Sequence, residues 1–228
     1  MFELVIANLR VRPLRTMISV AGVALGVILI VLFTGLARGM TQEMTKRAAN
    51  WKAEIIFTRP GAMEPTSAAT PLSTAYADRI REIEGVRSAI PVIKYITPSP
   101  KGRFGIQQLD GVDWEPFAAM NDMQLVAGRA PVANDEIVLD ERQMRDDNVQ
   151  IGDRLELFGG KSYSVVGVFS PPSGSRIKMS LAAMQEALET NKCTYILVKL
   201  EDGADAKAVG ARIDSELPGN TVTLTSDW

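Results

Sequence analysis

From Met17 to Ala37 the chain runs for 21 residues without a charge, and no other feature restricts its fold so strongly. As a helix, that run rises about 31 Å, the hydrocarbon thickness of a bilayer. A core helix of this length in water would show a polar face. Here Ser19 and Thr34 are the only polar side chains, and both can bond back to their own helix. A secretory signal has an apolar centre of roughly 7–15 residues, so the run reads as an uncleaved membrane helix over 17–37.

Its flanks extend that reading. Residues 1–16, "MFELVIANLRVRPLRT", place Phe2, Val5, Ile6 and Leu9 at helical spacing, followed by Arg10, Arg12 and Arg15. This pattern predicts a short amphipathic helix on the membrane surface, with the arginines at lipid phosphates, before Pro13 opens the spanning helix. Beyond the span, Leu36, Met40, Met44 and Ala48 recur every four residues. The helix is therefore expected to continue as a stalk over 38–52 with one apolar stripe for a neighbour. Gly22 and Gly26 lie four apart inside the span and form a groove that a second helix backbone can approach closely. Charge alone does not orient the span, because Arg38, Lys46, Arg47 and Lys52 follow it as closely as three arginines precede it.

The chain has 228 residues with 46% hydrophobic and 23% charged side chains and a net charge of −2. That is a globular composition without the basic field that nucleic acid requires. Three of 25 basic residues and one of 27 acidic residues precede the apolar run, so a mildly acidic body follows a basic N-terminus. There is no histidine and one cysteine. The commonest general base and metal ligand is missing, and neither an intramolecular disulfide nor a thiolate zinc site can form. Cys193, in "KCTYILVKL", reads as a small buried hydrophobe.

Residues 53–228 read as one α+β domain. "AEIIFTR" (53–59) is a strand candidate, and 60–74, rich in Pro, Ser, Thr and Ala, is a loop. Tyr76, Ile80 and Ile83 mark a helix face that Gly85 stops, and strands follow at 86–97 and 103–112. A second strand–helix–strand unit closes the chain: 192–200, then 203–217 with Ala206, Val209, Ile213 and Leu217 on one face, then 220–226. A β-rich insert over about 113–180 separates the two units. It comprises "EIVLD" (136–140), a short helix at "ERQMRDD", a hairpin "GDRLELFGGKSYSVVGV" turning at Gly159-Gly160, and "SRIKMS" (175–180). Ser180 is the expected N-cap of the next helix.

No enzymatic signature stands out. "GGKS" (159–162) lacks the upstream glycine and the following helix of a phosphate-binding loop. "DGVD" (110–113) and "RDDN" (145–148) lack the spacing of a calcium loop. No metal, cofactor or catalytic residue is expected in this chain. A Ser–Lys pair, and with it a membrane-tethered hydrolase, stays open as an alternative without a marking motif.

"ANLRVRPLRTMISVAGVALGV" resembles the first segment of permease subunits in the MacB/FtsX-like ABC transporter superfamily, in which Asn8, Leu9, Pro13, Leu14, Arg15 and Thr16 fit a pattern leading into the first membrane helix. "LDGVDWEPFAAMNDMQLVAGR" is similar to that family's G-V, short segment and G-R ahead of an acidic loop. "DEIVLDERQMRDDNVQIGDRLELFGGKSYSVVGVF" is similar to its G-D stretch ending in V-V-G-V. The resemblance implies an N-terminus in the cytoplasm and a domain outside the bacterial inner membrane, in the periplasm of Gram-negative cells. It also implies three later membrane helices, a second permease copy, a partner ATPase that binds the ATP, and room for a periplasmic adaptor. A single-span binding or adaptor protein is the alternative.

Overall fold

The structure, a computed structural model, describes residues 13–50, 52–61, 71–98, 106–157 and 160–227. The chain divides into two compact units, Met1–Lys46 and Arg47–Trp228. Helix α1 spans Pro13–Ala49 without interruption, a single helix of about 55 Å that takes in the expected span over 17–37 and residues 38–49 of the stalk expected over 38–52. Ser19 Oγ donates to Arg15 O at 3.1 Å, the back-bond that makes a hydroxyl tolerable among apolar side chains. Within it, Pro13–Gln42 is long and apolar enough to cross a membrane.

The second unit is built on one mixed sheet, in chain order β1 (Ile55–Thr58), β3 (Val86–Pro98), β4 (Ile106–Val112), β5 (Gln124–Gly128), β6 (Glu136–Asp140), β7 (Arg154–Glu156), β8 (Ser162–Ser170), β9 (Ile177–Ser180), β11 (Tyr195–Leu200) and β12 (Thr221–Leu224). Its strand order is β12-β1-β11-β3-β4-β9-β6-β8-β5, with β7 paired to β8. Two short strands, β2 (Leu72–Ser73) and β10 (Lys192–Cys193), pair separately. The first four strands, β12-β1-β11-β3, with α2 (Ala75–Arg81) between β1 and β3 and α6 (Ala206–Glu216) between β11 and β12, form the split β-α-β arrangement. These are the two strand–helix–strand units expected from the sequence, interleaved in one sheet.

The insert is not a separate β module. Strand β3 pairs with β11 through Val86–Val92 and with β4 through Ile93–Pro98, so one long strand carries the sheet from the first four strands into the insert. Pro91 lies in its middle. Val92 O accepts from Thr194 N on the β11 side, which turns the Pro91 nitrogen towards the β4 side, where pairing begins only at Ile93. The missing N–H therefore costs no ladder bond.

Both sheet faces are buried. Ile55, Phe57, Ala89, Ile93, Ile196 and Val198 face α2, α6 and α5 (Leu181–Ala187), while Ile56, Ile90, Val92, Tyr195 and Leu197 face α3 (Trp114–Met120). That explains why β1 shows three apolar residues in succession, Ile55 to Phe57: all four of its residues are buried. Local signals placed several elements well. "EIVLD" and "ERQMRDD" are β6 and α4 (Glu141–Asp147), and Ser180 Oγ caps α5 by accepting from Ala183 N at 3.1 Å. Helix α3 and strand β5 were not anticipated, nor were the parallel pairs β4–β9 and β6–β8, which join segments distant in sequence.

The glycines of the family-like motifs have steric causes. Gly128 and Gly167 are register partners across β5 and β8. A Cβ on Gly128, which sits at φ +75, would lie 2.2 Å from Val166 O, and one on Gly167 would lie 2.5 Å from Arg129 O. The next residue, Arg129, forks onto Glu136, whose carboxylate also accepts from Val132 N at 2.9 Å and Ala133 N at 3.1 Å. Those bonds hold the loop 129–136 and draw the Glu136 pKa from 4.5 to about 2, the Arg129 bond contributing most. A depressed folded pKa contributes stability above the unfolded value and loses it as pH falls. Glu136→Gln is expected to lower Tm by about 3 °C at pH 7. The gap from wild type should close between pH 4.5 and about 2, measured by thermal unfolding of the full chain in detergent.

Candidate functional site

The most unusual chemistry in the second unit is a buried ion pair at the centre of the sheet. Asp110 on β4 and Lys178 on β9 are register partners across the parallel pair, and both are almost wholly inaccessible, at 1% and 0%. Lys178 Nζ donates to Asp110 Oδ2 at 3.0 Å, to Ser173 O at 2.8 Å and to Ser175 O at 3.2 Å. Its charge also lies 4.7 Å from the Phe117 ring centre and 5.3 Å from that of Phe169, close enough for both π faces to stabilise it. Asp110 is equally engaged, accepting from Ser175 N at 2.8 Å and Ser175 Oγ at 2.7 Å. Burial pushes its pKa upwards, but Lys178, Lys94 and the two Ser175 bonds outweigh that and leave it below the usual carboxylate value.

This geometry does not provide a Ser–Lys nucleophile. All three ammonium protons of Lys178 are directed to oxygen acceptors, so no lone pair faces a hydroxyl. Ser175 Oγ gives its proton to a carboxylate rather than to an amine. Cys193 is buried, its Sγ is 3.4 Å from Leu72 O, and burial raises its pKa to about 12, which keeps it a protonated, inert thiol at neutral pH. An open cleft of about 390 Å³ is lined by Asn134, Asp135, Lys161, Ser162, Tyr163 and Glu186. Its polar groups are largely turned on one another and their neighbours: Asn134 donates to Glu186, and Arg154 reaches Asp135 at 3.4 Å.

The residues singled out in the sequence lie on or near α1. Gly22 and Gly26 are on it, with nothing within 4 Å of where a Cβ would stand. Leu36 and Met40 are each 56% exposed, and Arg15 is exposed in the first turn. The side chains of Met44 and Ala48 lie outside the described residues, as do Arg10, Arg12, Trp51 and residues 1–12 of the amphipathic segment expected over 1–16, whose last four residues open α1.

The two ends of the second unit lie together. Strand β1 pairs antiparallel with β12, Ile55 opposite Leu224, and Thr225 N donates to Glu54 O at 2.9 Å. Thr225 Oγ1 donates to Ala53 O at 2.8 Å, and Lys199 Nζ donates to Lys52 O at 2.7 Å. The chain therefore enters and leaves this unit at the same end of the sheet.

The model of the MacB-like periplasmic core domain matches residues 16–216. The chain belongs to this family. Among characterised relatives, the macrolide export ATP-binding/permease protein MacB of Nitrobacter winogradskyi is 24% identical over 135 residues, which are 58% of this chain and 20% of that protein. The chain thus spans about a fifth of the length of the relative it matches. The periplasmic region of MacB from Actinobacillus actinomycetemcomitans superimposes with a TM-score of 0.59 at 17% identity, over 77% of this chain and 90% of that structure. The extracellular domain of the ABC-type transporter YknZ from Gram-positive bacteria gives 0.55 at 14% identity, over 75% and 98%. These likenesses establish the α+β fold. With an apolar helix ahead of a MacB-like domain, the chain is a membrane-anchored protein with an extracytoplasmic domain.

Neither Asp110 nor Lys178 was expected as a pair. In a thermal unfolding series, Asp110→Asn and Lys178→Met are each expected to lower Tm by roughly 10 °C, because each strands a buried charge. The double variant keeps acceptors for Ser175 and strands none. It should unfold well above the sum of the single effects; strictly additive losses would show that the two groups do not act as a pair.

Proposed function

We propose that this chain is the N-terminal part of a permease subunit of an ABC transporter of the MacB/FtsX type, set in the bacterial inner membrane. In this reading a partner ATPase binds and hydrolyses ATP in the cytoplasm. The resulting movement of membrane helices reaches the periplasmic domain, which drives export or extraction of a substrate. The observation that carries the reading is the pairing of Ile55 with Leu224 behind a continuous 37-residue helix. A domain inserted between two membrane helices needs its two ends side by side, and this one has them.

The remaining roles follow from the helix. Arg10, Arg12 and Arg15 sit at the cytoplasmic lipid phosphates. Gly22 and Gly26 receive a helix of a second permease copy, and the stripe Leu36, Met40, Met44 and Ala48 carries the stalk against its neighbour. A periplasmic adaptor is a further partner of the assembled pair.

Two experiments test this. Purification from native membranes in mild detergent should bring down an ABC ATPase with a true phosphate-binding loop in fixed stoichiometry. Recovery of the chain without any such ATPase would favour a single-span adaptor and contradict the transport reading. With Cys193→Ala as background, Ser19→Cys should form an intermolecular disulfide dimer when a membrane-permeant oxidant is added to take up the two electrons. Adding Gly26→Leu should reduce that dimer several-fold, because two bulky faces cannot approach as closely as two glycine grooves; undiminished crosslinking would remove Gly22 and Gly26 from the interface.

A further inference from the structure

Helix α1 ends at Ala49, and the residues just after it are tied to the domain by bonds that the strand pairing does not require. Asn50 Nδ2 donates to Pro172 O at 2.6 Å. Lys52 N donates to Asn121 Oδ1 at 3.3 Å. The two acceptors belong to segments far apart in sequence, the loop after β8 and the C-terminal end of α3.

Both segments close on the same buried atom. One residue beyond Pro172, the carbonyl of Ser173 accepts from Lys178 Nζ at 2.8 Å, and that of Ser175 accepts at 3.2 Å. On the other side, Asn121 is fully buried and its Nδ2 donates to Phe117 O at 2.9 Å, while the Phe117 ring lies 4.7 Å from Lys178 Nζ. Two routes from 50–52, one through a loop and one through a helix, thus converge on a single ammonium group. Asp110 anchors that group to the neighbouring strand.

We propose that Lys178 is the node that couples the segment following the membrane helix to the centre of the sheet. Displacement of Asn50 and Lys52 moves the loop 171–176 and α3 together, because both are clamped to one fully buried charge. Asn50 acts here as a positioning residue, and Phe117, Ser173 and Ser175 form the clamp. A buried lysine held by carbonyls, a carboxylate and two rings cannot adjust by degrees: either all its partners move with it or a buried charge is left uncompensated. A pull along β1 would reach the insert only by way of β11 and β3. The inference rests on the transport reading for its use, but its geometry does not depend on an ATPase.

Hydrogen exchange of the full chain in lipid nanodiscs tests it. Asn50→Ala removes one hydrogen bond, which corresponds to a change of about tenfold in local opening. Exchange should quicken by that factor in peptides covering both 172–178 and 113–121, with α2 and α6 unchanged. Acceleration confined to 172–178, or none, would overturn the coupling. The second arm repeats Asn50→Ala in the Asp110→Asn, Lys178→Met background, where the node is gone. There the effect should stop at the loop and no longer reach α3. If α3 still loosens equally, the Lys52–Asn121 bond alone carries the coupling and Lys178 is not the node. A chain that purifies without an ATPase but shows these exchange patterns would sink the transport reading and leave this inference standing.

Discussion

The hydrogen bonding of β3 holds this domain in one piece. Its first half pairs with β11 and its second half with β4, so the four-strand split β-α-β unit and the insert share a backbone rather than a linker. Everything downstream depends on that continuity. The register of β3 sets β4, β4 sets β9 in parallel, and their alignment places Asp110 opposite Lys178. Slipping the register by one residue would send both charges to the opposite face, where Met184 of α5 packs against Gly111.

That dependence also explains which features the sequence revealed. Elements with a local signature were legible: the apolar run of α1, the short apolar run of β6, the Ser180 cap, and the helix face of Val209, Ile213 and Leu217, all three of which are buried. Lys178 was not legible. In "SRIKMS" an alternating strand turns Ile177 and Met179 inward and Lys178 outward, and an outward lysine is ordinarily solvated. It is buried because α3 covers the second face, and "DWEPFAAM" has too few residues to show a helical period clearly. Missing that one helix hid the buried pair. The parallel strand pairs were hidden for a related reason, since pairing between distant segments leaves no local pattern.

Family membership and geometry account for different parts of the function. The family match and the superpositions on MacB and YknZ domains concern the fold and the class of protein. The proposed placement between membrane helices draws on the adjacency of Ile55 and Leu224. The absence of a histidine, the committed protons of Lys178 and the inert Cys193 give the described residues of the domain no evident chemistry of their own. The proposed function gives it a mechanical part to play, for which it has a sheet with both faces covered and a charge buried where its strands meet.

The most direct test of the account is the side of the membrane on which the domain lies. Lys161, exposed beside β8, and Phe2, ahead of α1, can each be replaced by cysteine in a Cys193→Ala background. The cells are then labelled with a membrane-impermeant maleimide after the outer barrier, where present, is opened. The account predicts that Lys161→Cys labels in intact spheroplasts and that Phe2→Cys labels only after lysis. Labelling of Lys161→Cys only after lysis would put the domain in the cytoplasm and contradict the account at its centre.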